Sequence, residues 1–127
     1  MAKRIFISFA VEDANLRDFL VGQARNENSP FEFVDMSVKE PWKEDWKTKC
    51  RTKIKGCDGL IAIITKNTNS ASGQKWEIKC AKEEKIPCIG IWGHNDEMYD
   101  SYLPIEMIGI TTHKWTWDNI KNWLDRI

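Results

Sequence analysis

The residues of this chain best suited to acid–base or charge-stabilising chemistry are two carboxylates beside aromatic residues. Glu77 follows Trp76, and Asp35 ends the short apolar run Phe33-Val34. Ser8 and Phe9 close an earlier apolar run and lead into Ala10 and the acidic pair Glu12-Asp13. A hydroxyl, an aromatic face and carboxylates gathered in one place can orient a polar ligand and stabilise positive charge on it. His94 and His113 have no partner at a spacing that suggests a nucleophilic triad, and they read as surface or loop residues. Cys50, Cys57, Cys80 and Cys88 form no C-x-x-C pair, and their spacing does not resemble a zinc ribbon or finger. No metal and no bound cofactor is therefore expected, and the thiols read as small apolar residues kept reduced in the cytosol.

The whole chain limits what such a site can serve. It has 127 residues, with 19 lysines and arginines against 19 aspartates and glutamates, so its formal charge is zero. That balance argues against a dedicated nucleic-acid or anionic-membrane binder. A hydrophobic share of 42% suffices for one core, which predicts a single domain over residues 1–127. No apolar run approaches the roughly 20 residues of a membrane span. Met1-Ala2-Lys3-Arg4 leads directly into Ile5-Phe6-Ile7 with no cleavage-like site, so a signal peptide is not expected and a cytoplasmic location is.

The elements that must position these residues alternate. Lys3–Phe9 reads as a strand, and Asp13 can cap a helix carrying Leu16, Phe19, Leu20 and Ala24. Phe31–Asp35 reads as a second strand, and Met36–Glu44 as an exposed loop containing Pro41-Trp42. A helix from about Asp45 places Trp46, Cys50, Ile54 and Cys57 on one face. Leu60–Ile64 is nearly all apolar, as a central parallel strand covered on both faces would be. A polar loop, a helix from about Gln74 to Lys85 and a strand over Pro87–Trp92 follow. Ile108–Thr112 offers a weaker fifth strand. Thr116 caps a last helix with an apolar stripe of Trp117, Ile120, Trp123, Leu124 and Ile127. This alternation predicts an α/β fold, a flavodoxin-like five-stranded parallel sheet in the order 2-1-3-4-5 with helices on both faces.

In such a sheet, ligands bind beyond the carboxyl ends of strands one and three, where the strand order reverses. Ser8, Phe9, Ala10 and Glu12-Asp13 then line one side, Thr65, Lys66, Asn67 and the next helix the other, with Asp35 alongside. A receiver domain would need a phosphoryl-accepting aspartate at the end of strand three, where this chain reads Ile64-Thr65-Lys66. A flavodoxin would need a glycine-rich loop after strand one, and there is no G-x-G-x-x-G or P-loop sequence anywhere. What remains is Glu77, near the start of the third helix. An acid there is also what the helix dipole alone would favour, and both readings stay open on position.

Read in order, the segments resemble Toll/interleukin-receptor (TIR) domains. Arg4-Ile5-Phe6-Ile7-Ser8-Phe9 with Asp13 resembles their opening, and Phe33-Val34-Asp35 with the loop after it their second strand and BB loop. Asp58–Thr65, Trp76-Glu77-Ile78-Lys79 and Cys88-Ile89-Gly90-Ile91 resemble the strand, glutamate helix and next strand. The likeness covers roughly Lys3 to Trp92 and is similar to the compact TIR proteins of Thoeris-type antiphage defence. It implies an enzyme that breaks the nicotinamide–ribose bond of NAD, giving ADP-ribose or a cyclic ADP-ribose isomer as an antiviral signal. By that resemblance Glu77 is the catalytic carboxylate, and NAD is substrate rather than cofactor. Self-association through the loop after strand two and a downstream effector that senses the product are implied as well.

Residues expected to contact the substrate are Ser8, Phe9, Ala10, Asp35, Trp42 and Trp76, while Trp46, Trp115, Trp117 and Trp123 read as packing. Where many members of the family carry tryptophan four residues before the glutamate, this chain has Gly73. The alternative is a non-catalytic TIR-like module that binds a nucleotide or a protein through the same crevice. The enzymatic reading places Glu77 at a sugar-sized cleft beside Phe9 and Asp35. It fails if Glu77 lies in a salt bridge on the far side of the sheet or in open solvent away from those two residues.

Overall fold

The computed structural model describes residues 3–127. Met1 and Ala2, on which the leader reading partly rested, lie outside the described residues. Parallel strands β1 (Lys3–Ser8), β2 (Phe31–Val34), β3 (Gly59–Ile64), β4 (Cys88–Trp92) and β5 (Thr112–His113) form one sheet in the order β2-β1-β3-β4-β5. The expected flavodoxin-like order is the observed one. Register follows from apolar pairing, with Phe6 beside Leu60 and Ile61 beside Ile89.

Alternation along the strands divides the core into two layers. Ile5, Ile7, Ile61, Ile63, Ile89 and Ile91 meet Leu20 of α1 (Ala14–Asn26) and Ile120, Trp123 and Leu124 of α4 (Trp117–Arg126). Phe6, Leu60, Ala62 and Ile64 meet Trp46, Cys50 and Ile54 of α2 (Glu44–Lys55) and Ile78, Cys80 and Ala81 of α3 (Ser72–Glu83). All residues of β3 are buried, as a strand covered on both faces must be. At Gly59 a Cβ would lie 2.7 Å from the Trp123 ring, so α4 sits close on β3 only because that residue is glycine. Thr116 caps α4 as expected, its hydroxyl accepting from the Asn119 amide at 3.1 Å.

Four local expectations change. The fifth strand is not Ile108–Thr112: Gly109 adopts φ +84° and the Ile110 amide donates to the Met107 carbonyl, making a turn that delays the strand to Thr112. Helix α3 begins at Ser72, two residues before Gln74, so Glu77 lies in its second turn, beyond the strongest influence of the helix dipole. Asp13 does not cap α1 with its side chain, which is turned toward the loop after β3 instead. Phe19 lies 66% exposed, packing edge-on against Trp115 rather than in the core.

Candidate functional site

The site is assembled where β1 and β3 end. Because Phe6 faces α2 and α3, Ser8, two residues on, faces the same way and reaches the third helix. Ser8 is fully buried, and its hydroxyl donates to Glu77 Oε1 at 2.9 Å. Glu77 has no exposed surface. Its Oε2 accepts from Lys39 Nζ at 2.7 Å, and the Lys39 side chain is only 6% exposed. Lys39 lies in the loop of residues 35–43 between β2 and α2, and its ammonium sits 4.2 Å from the Phe9 ring centroid. Burial pushes the Glu77 carboxyl up to about 7, against the opposing pull of the Lys39 charge and the hydrogen bonds from Lys39 and Ser8.

Two polar clasps hold this end of the sheet. Gln74, buried one turn before Glu77, donates through Nε2 to the Ser8 and Ile63 carbonyls at 3.1 and 2.7 Å, tying β1 to β3. Its Oε1 is buried without a partner among the described residues. Asp13 accepts from Thr65 Oγ1 at 2.5 Å and from Asn67 Nδ2 at 3.0 Å, fixing the loop after β3 that leads into α3.

Of the expected site residues, Ser8, Phe9 and Glu77 are brought together. Ala10 is buried beside them, where its carbonyl accepts from the Asp13 amide and starts the turn before α1. Asp35 borders the site but is engaged by Arg17 Nη1 at 2.8 Å. The same guanidinium lies 5.2 Å from the Phe9 ring. Trp42 stands 70% exposed on the loop and does not reach Glu77 in this arrangement.

Trp76 is turned away. Neighbours on a helix diverge by about 100°, so Trp76 cannot share the Glu77 face. Its ring packs on Trp46 at 5.4 Å and lies under the Arg51 guanidinium, in the seam between α2 and α3. Nor, among the described residues, does Glu77 face an open sugar-sized cleft: it has no exposed surface, and Lys39 covers the carboxylate. A groove of about 690 Å3 between α1 and β2 borders the site only at Arg17 and Asp35.

Lys39, Gln74 and Arg17 were not singled out by the sequence. The one available signal for Lys39 was Gly73: its backbone is helical, yet a Cβ there would lie 2.6 Å from Lys39 Cβ. His94 is exposed, whereas His113 is half-buried on β5 rather than in a loop. All four cysteines are free, and burial raises each thiol above its ordinary range. Among the described residues no group of three or more His, Cys, Asp or Glu is placed to hold a metal, and no helix is long and apolar enough to cross a membrane.

Solved structures support the fold. A prokaryotic SEFIR domain aligns over 98% of this chain and 89% of its own, with a TM-score of 0.57 and 18% identity. A 3-dehydroquinate dehydratase-like protein from Bifidobacterium longum aligns over 100% and 95%, with a TM-score of 0.51 and 14% identity. At these identities the likeness concerns the fold alone. No curated protein matches the chain. The family model described as the TIR-like domain of the Thoeris protein ThsB matches residues 6–98, from within β1 to beyond β4, and so spans Ser8, Lys39 and Glu77. The chain belongs to the ThsB TIR-like family of Thoeris antiphage defence.

Proposed function

We propose that this TIR-like protein cleaves the nicotinamide–ribose bond of NAD, with Glu77 as the catalytic carboxylate, and releases ADP-ribose or a cyclic ADP-ribose isomer as a defence signal. The observation that carries this reading is the pairing of a wholly buried carboxylate with a cation held against an aromatic face. A group that holds an ammonium in this way can also favour the positive charge of a nicotinamide riboside. When the ribose C1′–nitrogen bond breaks, its electron pair leaves with nicotinamide, which departs neutral and needs no general acid. The sugar is left oxocarbenium-like, and an adjacent carboxylate stabilises that charge.

Water adding at C1′ and losing a proton gives ADP-ribose. Attack by a hydroxyl or ring nitrogen of the same molecule gives a cyclic isomer, favoured where the site excludes water. Ser8 orients Glu77, Phe9 supplies the ring face, and Ala10 and Asp35 edge the pocket. Trp42 and neighbouring Val38, both exposed on the residue 35–43 loop, suit self-association there. A downstream effector would sense the product.

A second reading is a non-catalytic module that binds a nucleotide or a protein through the same end of the sheet. It is favoured by the satisfied Glu77–Lys39 pair, which leaves no open cleft. Incubation with NAD at high protein concentration, with products separated by chromatography and identified by mass, distinguishes the two. Nicotinamide together with ADP-ribose or its cyclic isomer is expected from the wild type and lost in Glu77→Gln. Absence of product at every concentration, with nucleotide binding retained, supports the module instead.

A further inference from the structure

We infer that Lys39 is a built-in latch on the Glu77 site, seated by Gly73, and that the site accepts NAD only once the loop of residues 35–43 lifts this lysine out. The inference concerns the regulation of the proposed NAD site and rests on that reading.

The Lys39 ammonium occupies the place a cationic substrate ring would need. It contacts Glu77 Oε2 at 2.7 Å and stands 4.2 Å from the Phe9 centroid, the two groups to which a pyridinium next to ribose would bring its charge. Two cations cannot share one carboxylate and one ring face, so lysine and substrate compete. The lysine is intramolecular, and its effective concentration is correspondingly high.

The fit extends along the whole side chain. A Cβ on Gly73 would lie 2.6 Å from Lys39 Cβ, 3.1 Å from Cγ and 3.3 Å from Cδ. The first of these is the root of the side chain, so relief requires the loop backbone to move rather than a terminal rotamer. Gly73 lies in the first turn of α3 with no positive φ, a place where the helix would accept alanine. The backbone does not ask for glycine there; the space taken by Lys39 does.

The loop behaves as a strap fastened on both sides of the latch. Arg17 holds Asp35 at 2.8 Å, and Trp46 Nε1 donates to the Val38 carbonyl at 2.7 Å. On the far side the Lys43 amide donates to the Glu40 carbonyl at 2.9 Å. Val38 and Trp42, at 62% and 70% exposed, flank Lys39 and give a second copy an apolar grip on the strap.

The test compares wild type, Gly73→Ala, Lys39→Ala and Glu77→Gln by amide hydrogen exchange and by nicotinamide release from NAD at low protein concentration. Circular dichroism confirms that each variant is folded. Overpacking at Gly73 is expected to accelerate exchange across residues 36–43 by about tenfold or more. Nicotinamide release should rise by a similar factor in Gly73→Ala and Lys39→Ala and vanish in Glu77→Gln. Unchanged loop exchange in Gly73→Ala overturns the latch whatever the activity. Faster exchange with measurable wild-type cleavage that neither Gly73→Ala nor Lys39→Ala exceeds also overturns it. Faster exchange with no nicotinamide from any protein, at any concentration, refutes the enzymatic reading while the seating of Lys39 by Gly73 stands.

Discussion

Because Glu77 is buried with a proton affinity far from that of a free glutamate, its titration must appear in the stability of the fold. The perturbation is Glu77→Gln, which removes the titrating group and keeps its volume. Burial moves the carboxyl from an ordinary 4.5 to about 7. At 1.36 kcal/mol per decade of proton affinity, the folded state binds this proton more tightly than the unfolded state by about 3 kcal/mol. Between these two values the native chain holds the proton and the unfolded chain does not. The associated stability is therefore complete below pH 4.5 and lost as pH rises through about 7.

Urea denaturation of both proteins at intervals from pH 5 to 8 measures this directly. Titrations elsewhere in the chain occur in both proteins and cancel in the difference. The offset at pH 8 reports the contact with Lys39, and the change of that offset with pH reports the proton on Glu77. Relative to the variant, the wild type should lose on the order of 2–3 kcal/mol across the range. A constant offset would show that the carboxyl is effectively solvated. An offset growing in favour of the wild type as pH rises would show that the Lys39 charge outweighs desolvation, and the reasoning about a dry site would be wrong.

Three other substitutions probe the supports of the site. Gln74→Leu removes the amide that ties the Ser8 and Ile63 carbonyls, and should cost on the order of 1–3 kcal/mol in denaturant unfolding. Asp13→Ala leaves Thr65 Oγ1 and Asn67 Nδ2 without their acceptor and should cost a similar amount, with faster amide exchange concentrated in residues 65–71. Trp76→Ala loosens the seam between α2 and α3 and should lower the urea midpoint while nicotinamide release by the folded fraction persists. Loss of release comparable to that of Glu77→Gln would return Trp76 to the substrate pocket.

The sheet was legible because its signals are local and redundant. Leu60–Ile64 could only be a buried strand, the stripe of α4 matched one helical face, and Thr116 announced that helix. The failures have physical causes of their own. Ile108–Thr112 has strand composition, but Gly109 can adopt the positive φ that lets the chain turn, and the turn wins. Phe19 fits the helical period of α1, yet it stays 66% exposed and packs edge-on against the Trp115 ring. Asp13 has the residue type of a cap, but two donors on the loop after β3 outcompete the helix amides for its carboxylate.

The site was legible in its carboxylate and not in its partner. Glu77, Ser8 and Phe9 occupy positions that strand alternation and sheet order dictate, so sequence reasoning can put them near one another. Lys39 reaches them from a loop, and loops carry no period from which a direction can be read. A lysine in a charged loop reads as solvent-facing, and only its structural complement, the glycine at position 73, marks where its stem lies. Trp76 shows the converse error. Adjacency to the key residue in sequence suggested adjacency in the site, whereas a helix sends consecutive side chains to different faces and put this ring on Trp46. Spacing along a helix can therefore name which residues share the Glu77 face, Gly73 and Gln74 among them. What arrives on that face from the loop is decided by volume and charge, and here the arrival is a cation that pairs with the buried carboxylate.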